Sequence, residues 1–308
     1  MRISFLAPFA VFVCSVFLAG CGDVPQANAE EKPSARTPQV FCSNYPLFYF
    51  TERIGGDFVE AAFTVPPDTD PAFWKPAEKD LLAMQSAALL VTNGATYEKW
   101  LTTVSLPQSR IVDTSKSFKG EYIASKYTLV HTHGGGDAHS HAGTEFSTWL
   151  DFQQAIWQAE EIRDALIRLI PDKTATFEKN FDLLAMDLEK LHLDFNFVGP
   201  GIDLHPLVAS HPVYSYFSRR YKLNIESVHW EPETVPDEAA LAELKAILKV
   251  HPAKWMIWEG EPVAESVALL KEMGLESIVI DPCGNRPGSG DFLSVMKQNL
   301  ASLRKITL

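Results

Sequence analysis

The chain has 308 residues, 46% of them hydrophobic and 21% charged. That is enough for one large domain or two medium ones, and it excludes a fibrous, low-complexity or wholly disordered protein. Lys and Arg total 27 against 39 Asp and Glu, a formal net charge of −12, and no basic run is present; nucleic acid is excluded as a partner and cations become the better charged ligand.

Residues 1–20 read as a signal peptide: Arg2 gives the positive start, and Phe5 to Phe17 is an apolar run too short for a stable membrane-spanning helix. The run ends in Leu18-Ala19-Gly20-Cys21, which resembles a bacterial lipobox. Cys21 then becomes the mature N-terminus and the lipid anchor, on the periplasmic or cell-surface side of a membrane. Residues 21–38 are polar and carry Pro25 and Pro33, the composition of a flexible tether. Cys14 is removed with the signal, so Cys42 and Cys283 are the cysteines left in an oxidising compartment. A Cys42–Cys283 disulfide is the expectation, with a pair of thiolate metal ligands as the alternative.

From Val40 short β-rich runs alternate with helical stretches. Strands are expected at Val40–Cys42, Phe58–Val65, Ala88–Thr92 and Arg110–Val112, and helices from Pro46, over Pro76–Ser86 and over Tyr97–Leu101. A Gly- and His-rich loop lies between Gly134 and Gly143, followed by a helix over Thr148–Leu169. Asp172–Phe195 predicts a long amphipathic helix with apolar Phe177, Phe181, Leu184, Met186, Leu188 and Leu191, stopped at Gly199-Pro200-Gly201. The alternation then resumes. Strands fit Pro206–Ala209, Asn224–Val228, Trp255–Trp258 and Ser277–Ile280; helices fit Val213–Tyr221, Asp237–Val250, Val263–Met273 and Phe292–Leu303. The expected fold is α/β: two lobes, each a mostly parallel sheet flanked by helices, joined by one long interlobe helix. The N-terminal lobe would span residues 39–170, the interlobe helix 171–198 and the C-terminal lobe 199–308. No sequence repeat of fixed period is visible.

Nine His are present, four of them in eleven residues: His131, His133, His139 and His141, arranged as two His-x-His pairs around three glycines. Neutral imidazole is a favoured ligand for zinc, copper and nickel. Glycine-rich flexibility points to a transient metal collector rather than a rigid four-ligand site. His192 reads as a surface residue, and His205, His229 and His251 as structural ones. Trp74, Trp149, Trp230, Trp255 and Trp258 read as core or interlobe packing, with an aromatic-lined cleft at Trp74 as the alternative.

Several motifs together resemble the solute-binding proteins of zinc/manganese ABC uptake transporters, the metal-binding lipoprotein family. They are Asn44-Tyr45-Pro46-Leu47, Leu90 to Gly94 with Glu98-Lys99-Trp100-Leu101, Trp149-Leu150-Asp151, Ser210-His211-Pro212 through Tyr216-Phe217 and Arg220-Tyr221, Glu231 to Pro236, and Ile280-Asp281-Pro282. A His-rich insertion before Trp149 is a feature of zinc-type members. The resemblance covers the chain from Val40 onward and implies a divalent metal as cargo, zinc foremost or manganese, an ABC permease as partner and no catalysis.

The resemblance also implies four side-chain ligands in the cleft between lobes. The third maps onto His211 and the fourth onto Asp281. The first belongs in the stretch Asp70-Pro71-Ala72-Phe73-Trp74-Lys75-Pro76, where Ala72 stands in place of His; the second belongs before Trp149, where Ser147 stands in place of His. Three outcomes are open. His139 or His141 could fold back into the cleft, Cys42 and Cys283 could supply thiolates, or the cleft has lost its ion. In the last case the chain would be a degenerated paralogue that binds a metal chelate or a partner protein as an accessory or sensing lipoprotein. An enzyme is not expected, because no Gly-x-Ser-x-Gly elbow, phosphate-cradling loop or His-Glu-x-x-His motif is present.

Overall fold

Alternate residues of each central strand face opposite apolar layers, and this sets the architecture. Val40 and Cys42 point into one core and Phe41 into another; likewise Leu207 and Ala209 are separated from Val208, and Ile257 from Met256 and Trp258. Strands buried on both faces belong to parallel sheets covered by helices on either side. The computed structural model describes residues 37–307 apart from 68, 126–128, 132–138 and 142. The expected signal peptide, Cys21, most of the tether and His133 lie outside the described residues.

The first lobe contains β1 (Gln39–Cys42), α1 (Tyr45–Gly55), β2 (Glu60–Ala62), α2 (Glu78–Ser86), β3 (Leu89–Thr92) and β4 (Ile111–Asp113), a parallel sheet of order β2-β1-β3-β4. A ribbon of β5 (Leu129–His131) and β6 (His139–His141) follows, antiparallel with His131 opposite His139. Its strands replace part of the expected loop. Next come α3 (Phe152–Leu169) and the 29-residue α4 (Thr174–Ile202). The second lobe contains β7 (Leu207–Ala209), α5 (Ser215–Tyr221), β8 (Ile225–Ser227), α6 (Glu238–Val250), β9 (Trp255–Trp258), α7 (Ala264–Glu272), β10 (Glu276–Val279) and α8 (Phe292–Leu303). Its sheet, read from β8, has the order β8-β7-β9-β10. Both lobes therefore share one topology that no sequence period betrays.

α4 packs on α1 and α3 and also on α5 and α8. Phe177, Leu184, Leu188, Leu191, Phe195, Val198 and Ile202 of α4 are buried in the core cluster that runs through both lobes. Three local expectations need correction. The strand expected over Phe58–Val65 narrows to β2, an edge strand whose single partner β1 pairs with it from Gln39 to Phe41 alone. The helix expected over Tyr97–Leu101 is a 3-10 turn over Lys99–Thr103. Gly94, Ala95 and Thr96 all have positive φ there, and a side chain at Gly94 would collide with Asp113 and Ser115, so the chain is turning, not coiling. The long helix does not stop at Gly199 but continues through Pro200 to Ile202. Glycine before proline removes the Cβ whose clash with the proline ring normally ends a helix. A Cβ at Gly199 would also sit 2.5 Å from the Tyr221 carbonyl oxygen.

Candidate metal centre

In open parallel sheets, ligands gather beyond the carboxyl ends of the strands where the strand order reverses. In the second lobe that point lies between β7 and β9. Ser210 and His211 follow β7, and Glu259 directly follows β9. Glu231 arrives from the loop after β8, in which the Trp230 N–H donates to the Ser210 carbonyl at 2.8 Å.

These elements bring His211, Glu231 and Glu259 together, with one donor atom from each within 4.8 Å of the others. It is the one such group of three or more metal-binding side chains among the described residues. His211 Nδ1 lies 3.0 Å from Glu259 Oε1, and its Nε2 lies 3.6 Å from Glu231 Oε1. Burial opposes charging of His211, but the contact with Glu259 and the charges of Glu259 and Glu231 outweigh it and raise the imidazole pKa. The His229 ring stands edge-on to His211 at 6.1 Å; burial and the neighbouring His211 lower its pKa.

Asp281 follows β10 but is not in the trio. Its Oδ1 accepts the Cys283 N–H at 2.6 Å, and Asn299 brackets its backbone with bonds of 2.9 and 2.7 Å. Burial raises its pKa and Glu259's charge adds to the rise, against the Cys283 N–H. Asp281 thus faces the same electrostatic field with its carboxylate turned into its own loop.

The first-lobe positions that the resemblance assigns to ligands are different. Ala72 and Ser147 are buried, and neither brings a metal-binding side chain. The Ala72 N–H instead donates to Asp70 Oδ1 at 2.8 Å. Desolvation raises Asp70's pKa; Glu259's charge adds to this, while Lys99 and His211 pull it down. Lys99 Nζ lies 3.7 Å from the centre of the Phe73 ring and has no hydrogen-bond partner. Burial lowers its pKa against the attraction of Asp70. Trp74 lies in the outer core, stacked on Phe41 and edge-on to Trp100, so it does not line a cleft.

The two cysteines do not form the expected disulfide; both are free and buried. Cys42 Sγ lies 3.4 Å from Thr51 Oγ1, and burial pushes its thiol up to about 12. Burial also pushes Cys283 well up, with Asp281's charge adding to the rise. Neither is poised as a thiolate. Of the four loop histidines, only the backbone pairing of His131 and His139 and the place of His141 in β6 are described.

Other motif residues prove to be braces. Asp151 caps α3, bonding the Gln153 and Gln154 N–H groups, and takes the Arg220 guanidinium at 2.7 Å. Trp149 Nε1 donates to the Pro282 carbonyl at 2.8 Å, across the lobes. Glu98 accepts from Ser43 and from the backbone N–H groups of Asn93 and Gly94, next to Asn93, which also bonds Thr148 and Gln158. His251 bonds the Leu207 carbonyl at 2.8 Å.

Glu231 and Glu259 were missing from the residues expected to bind metal. The available signal was a carboxylate immediately after the apolar strand Trp255-Met256-Ile257-Trp258, at the end of a strand whose neighbours no sequence pattern identifies.

A family model described as zinc-uptake complex component A, periplasmic, matches residues 40–306. The zinc-binding lipoprotein AdcA of Streptococcus pneumoniae is 25% identical over 315 residues, covering 96% of this chain and 59% of AdcA. The chain therefore spans about three-fifths of that relative. The high-affinity zinc uptake system protein ZnuA of Bacillus subtilis is 25% identical over 310 residues, covering 96% and 95% of the two chains. Among solved structures, the metal-dependent lipoprotein YcdH of B. subtilis aligns with a TM-score of 0.75 at 22% identity, over 88% of this chain and all of its own. Zn(II)-bound AdcA of S. pneumoniae aligns at 0.72 with 23% identity, over 88% of this chain and 58% of its own. These likenesses establish the two-lobed fold.

Proposed function

The chain belongs to the family of periplasmic zinc-uptake complex component A, and on that premise we propose that it is the extracytoplasmic solute-binding component of an ABC transporter for a divalent transition metal, zinc foremost. The observation that carries this reading is the trio His211, Glu231 and Glu259 at the carboxyl ends of the second sheet. One imidazole and two carboxylates suit a divalent cation of the zinc class, and three protein ligands leave a coordination position open. Asp281 is within reach of the same field and would complete the set by releasing the Cys283 N–H.

The metal is cargo, so the site must load and unload. At loading, the ion competes with the proton that the neighbouring Glu259 and Glu231 favour on His211, and the half-buried site exchanges proton for metal. An open fourth position and an exposed Glu231 suit exchange better than a closed structural site. Lipid attachment through Cys21 would hold the protein at the membrane, and the imidazoles of His131, His133, His139 and His141 would raise the local ion concentration. An ABC permease would receive the metal.

The test is calorimetry of zinc and manganese binding to residues 22–308, which contain the whole compact unit from Thr37 onward. Submicromolar zinc binding, weakened strongly by Glu259→Gln and only mildly by deletion of residues 131–141, supports the reading. Zinc binding that is indifferent to Glu259→Gln, or no tighter than tens of micromolar, overturns it.

A further inference from the structure

The long helix α4 is apolar on two opposite faces, and one of them is bare. Its buried seam runs Phe177, Phe181, Leu184, Leu188, Leu191, Phe195, Val198 and Ile202, in the alternating three- and four-residue steps of a heptad. Two residues further on, from Phe181 onward, lies a second seam: Leu183, Met186, Lys190, Leu193, Phe197, Pro200 and Leu204. Two residues are about 200° of helix at 3.6 residues per turn, so this seam looks away from the core. Its large side chains are open to solvent: Leu183 is 50% exposed, Met186 68%, Leu193 58%, Phe197 86% and Leu204, just past the helix end, 83%. These are five of the seven large apolar residues at least 50% exposed among the described residues. A cluster of large exposed apolar side chains along one helix face marks an interaction surface.

The residues beside the seam identify what covers it. In heptad terms Asp182, Glu189 and Asp203 flank one edge and Asp187 and Asp194 the other. The nearby cations are few. Arg53 reaches Asp187 at 2.8 Å, Lys190 within the seam reaches Asp194 at 2.8 Å, and Lys179 lies one step before Leu183. A second copy of this chain would set the same acids against each other, and an anionic bilayer would meet them as like charge. The protein's own residues 21–36 carry Pro25, Pro33, Glu30 and Glu31 and no apolar heptad, so they do not match the seam either. We propose that the outward seam of α4 is a docking surface for a basic amphipathic helix of another protein, with apolar residues facing the seam and Lys or Arg facing its acidic edges.

The probe is a synthetic 21-residue helix with Leu at the two apolar heptad positions and Lys at the two flanking ones, paired with a version carrying Glu at the flanks. Binding to residues 22–308 is followed by fluorescence anisotropy. The Lys-flanked peptide should bind at least 10-fold more tightly than the Glu-flanked one. The double substitution Leu193→Glu with Phe197→Glu should weaken it at least 10-fold, while Val250→Glu, at an exposed apolar residue on α6, leaves it unchanged. An unaltered zinc titration shows that the variant is folded. Equal binding of the two peptides, or a Leu193→Glu, Phe197→Glu protein that binds like the parent, overturns the proposal. So does a concentration-dependent dimer, or adhesion to phosphatidylglycerol vesicles, that the double substitution abolishes.

Discussion

The two lobes have the same strand order and opposite chemistry. Beyond β7 and β9 the second lobe offers His211 and Glu259, with Glu231 beside them. Beyond β1 and β3 the first lobe offers a buried network of Ser43, Asn93 and Glu98; Ala72 and Ser147 are buried without a ligating side chain, and Asp70 is the carboxyl there that feels the charges of Glu259 and His211. One topology thus holds three gathered donor side chains in the second lobe and the Asp70 carboxyl alone near them from the first. Shared architecture places positions at a switch point, and side-chain chemistry alone decides whether a cation finds ligands there.

The contrast is broken most directly at His211. A structural zinc bound by four ligands is worth roughly 10–16 kcal/mol, so one ligand is worth about 3–4 kcal/mol. His211→Ala should weaken zinc binding by about 100- to 1000-fold in calorimetry. Ser147→Ala, in the first lobe, should leave it within about 2-fold; a matching loss at Ser147 would mean that both lobes ligate.

The brace between lobes comes next. Asp151 is fully buried and its carboxylate meets Arg220 of α5 at 2.7 Å, with Arg219 at 3.9 Å. Arg220→Met leaves a buried charge short of its partner and should cost about 3 kcal/mol in urea unfolding. A loss below about 1 kcal/mol would show that Arg219 substitutes for it.

Glu98 separates the lobes by pH. It is 6% exposed, and burial, opposed by the Ser43, Asn93 and Gly94 donors, raises its carboxyl from 4.5 to about 7. A carboxyl with a higher pKa folded than unfolded holds its proton more tightly in the native state. Its contribution is therefore complete below about pH 4.5 and is lost as pH rises to about 7, a fall of at most about 3 kcal/mol. Glu98→Gln should flatten that slope in denaturation midpoints between pH 4.5 and 7; an unchanged slope assigns it to other groups.

Lys99 is the smallest lever. Its ammonium stands near Asp70, whose carboxyl also feels Glu259 and His211. Removing that positive charge with Lys99→Met should raise zinc affinity by about 2- to 5-fold, the scale of one screened charge. A fall in affinity would mean that Lys99 holds its surroundings in place.

Much of the fold was legible in the sequence and much of the site was not. β9 and α8 fall where the apolar runs predict them, because Trp255–Trp258 is a buried-strand run and the Asp291 cap opens the apolar period of Phe292–Leu303. The motifs put His211 and Asp281 at strand ends, and in the structure they follow β7 and β10, with His211 alone of the two in the trio. Glu231 and Glu259 were not assigned, since nothing local tells an ordinary surface glutamate from one facing an imidazole across a loop. The Cys42–Cys283 bridge failed as an expectation because it rested on compartment and count, whereas bonding depends on where two Sγ atoms lie.

What the sequence by itself determined was everything that depends on neighbours along the chain: the alternation of strands and helices, the caps at Asp151, Asp237 and Asp291, and the identity of the donors available. The order of the strands, the gathering of His211 with Glu231 and Glu259, and the bare outer seam of α4 were decided in three dimensions. Each depends on contacts between residues tens of positions apart, and period and propensity carry no information about which of two apolar faces another element will cover.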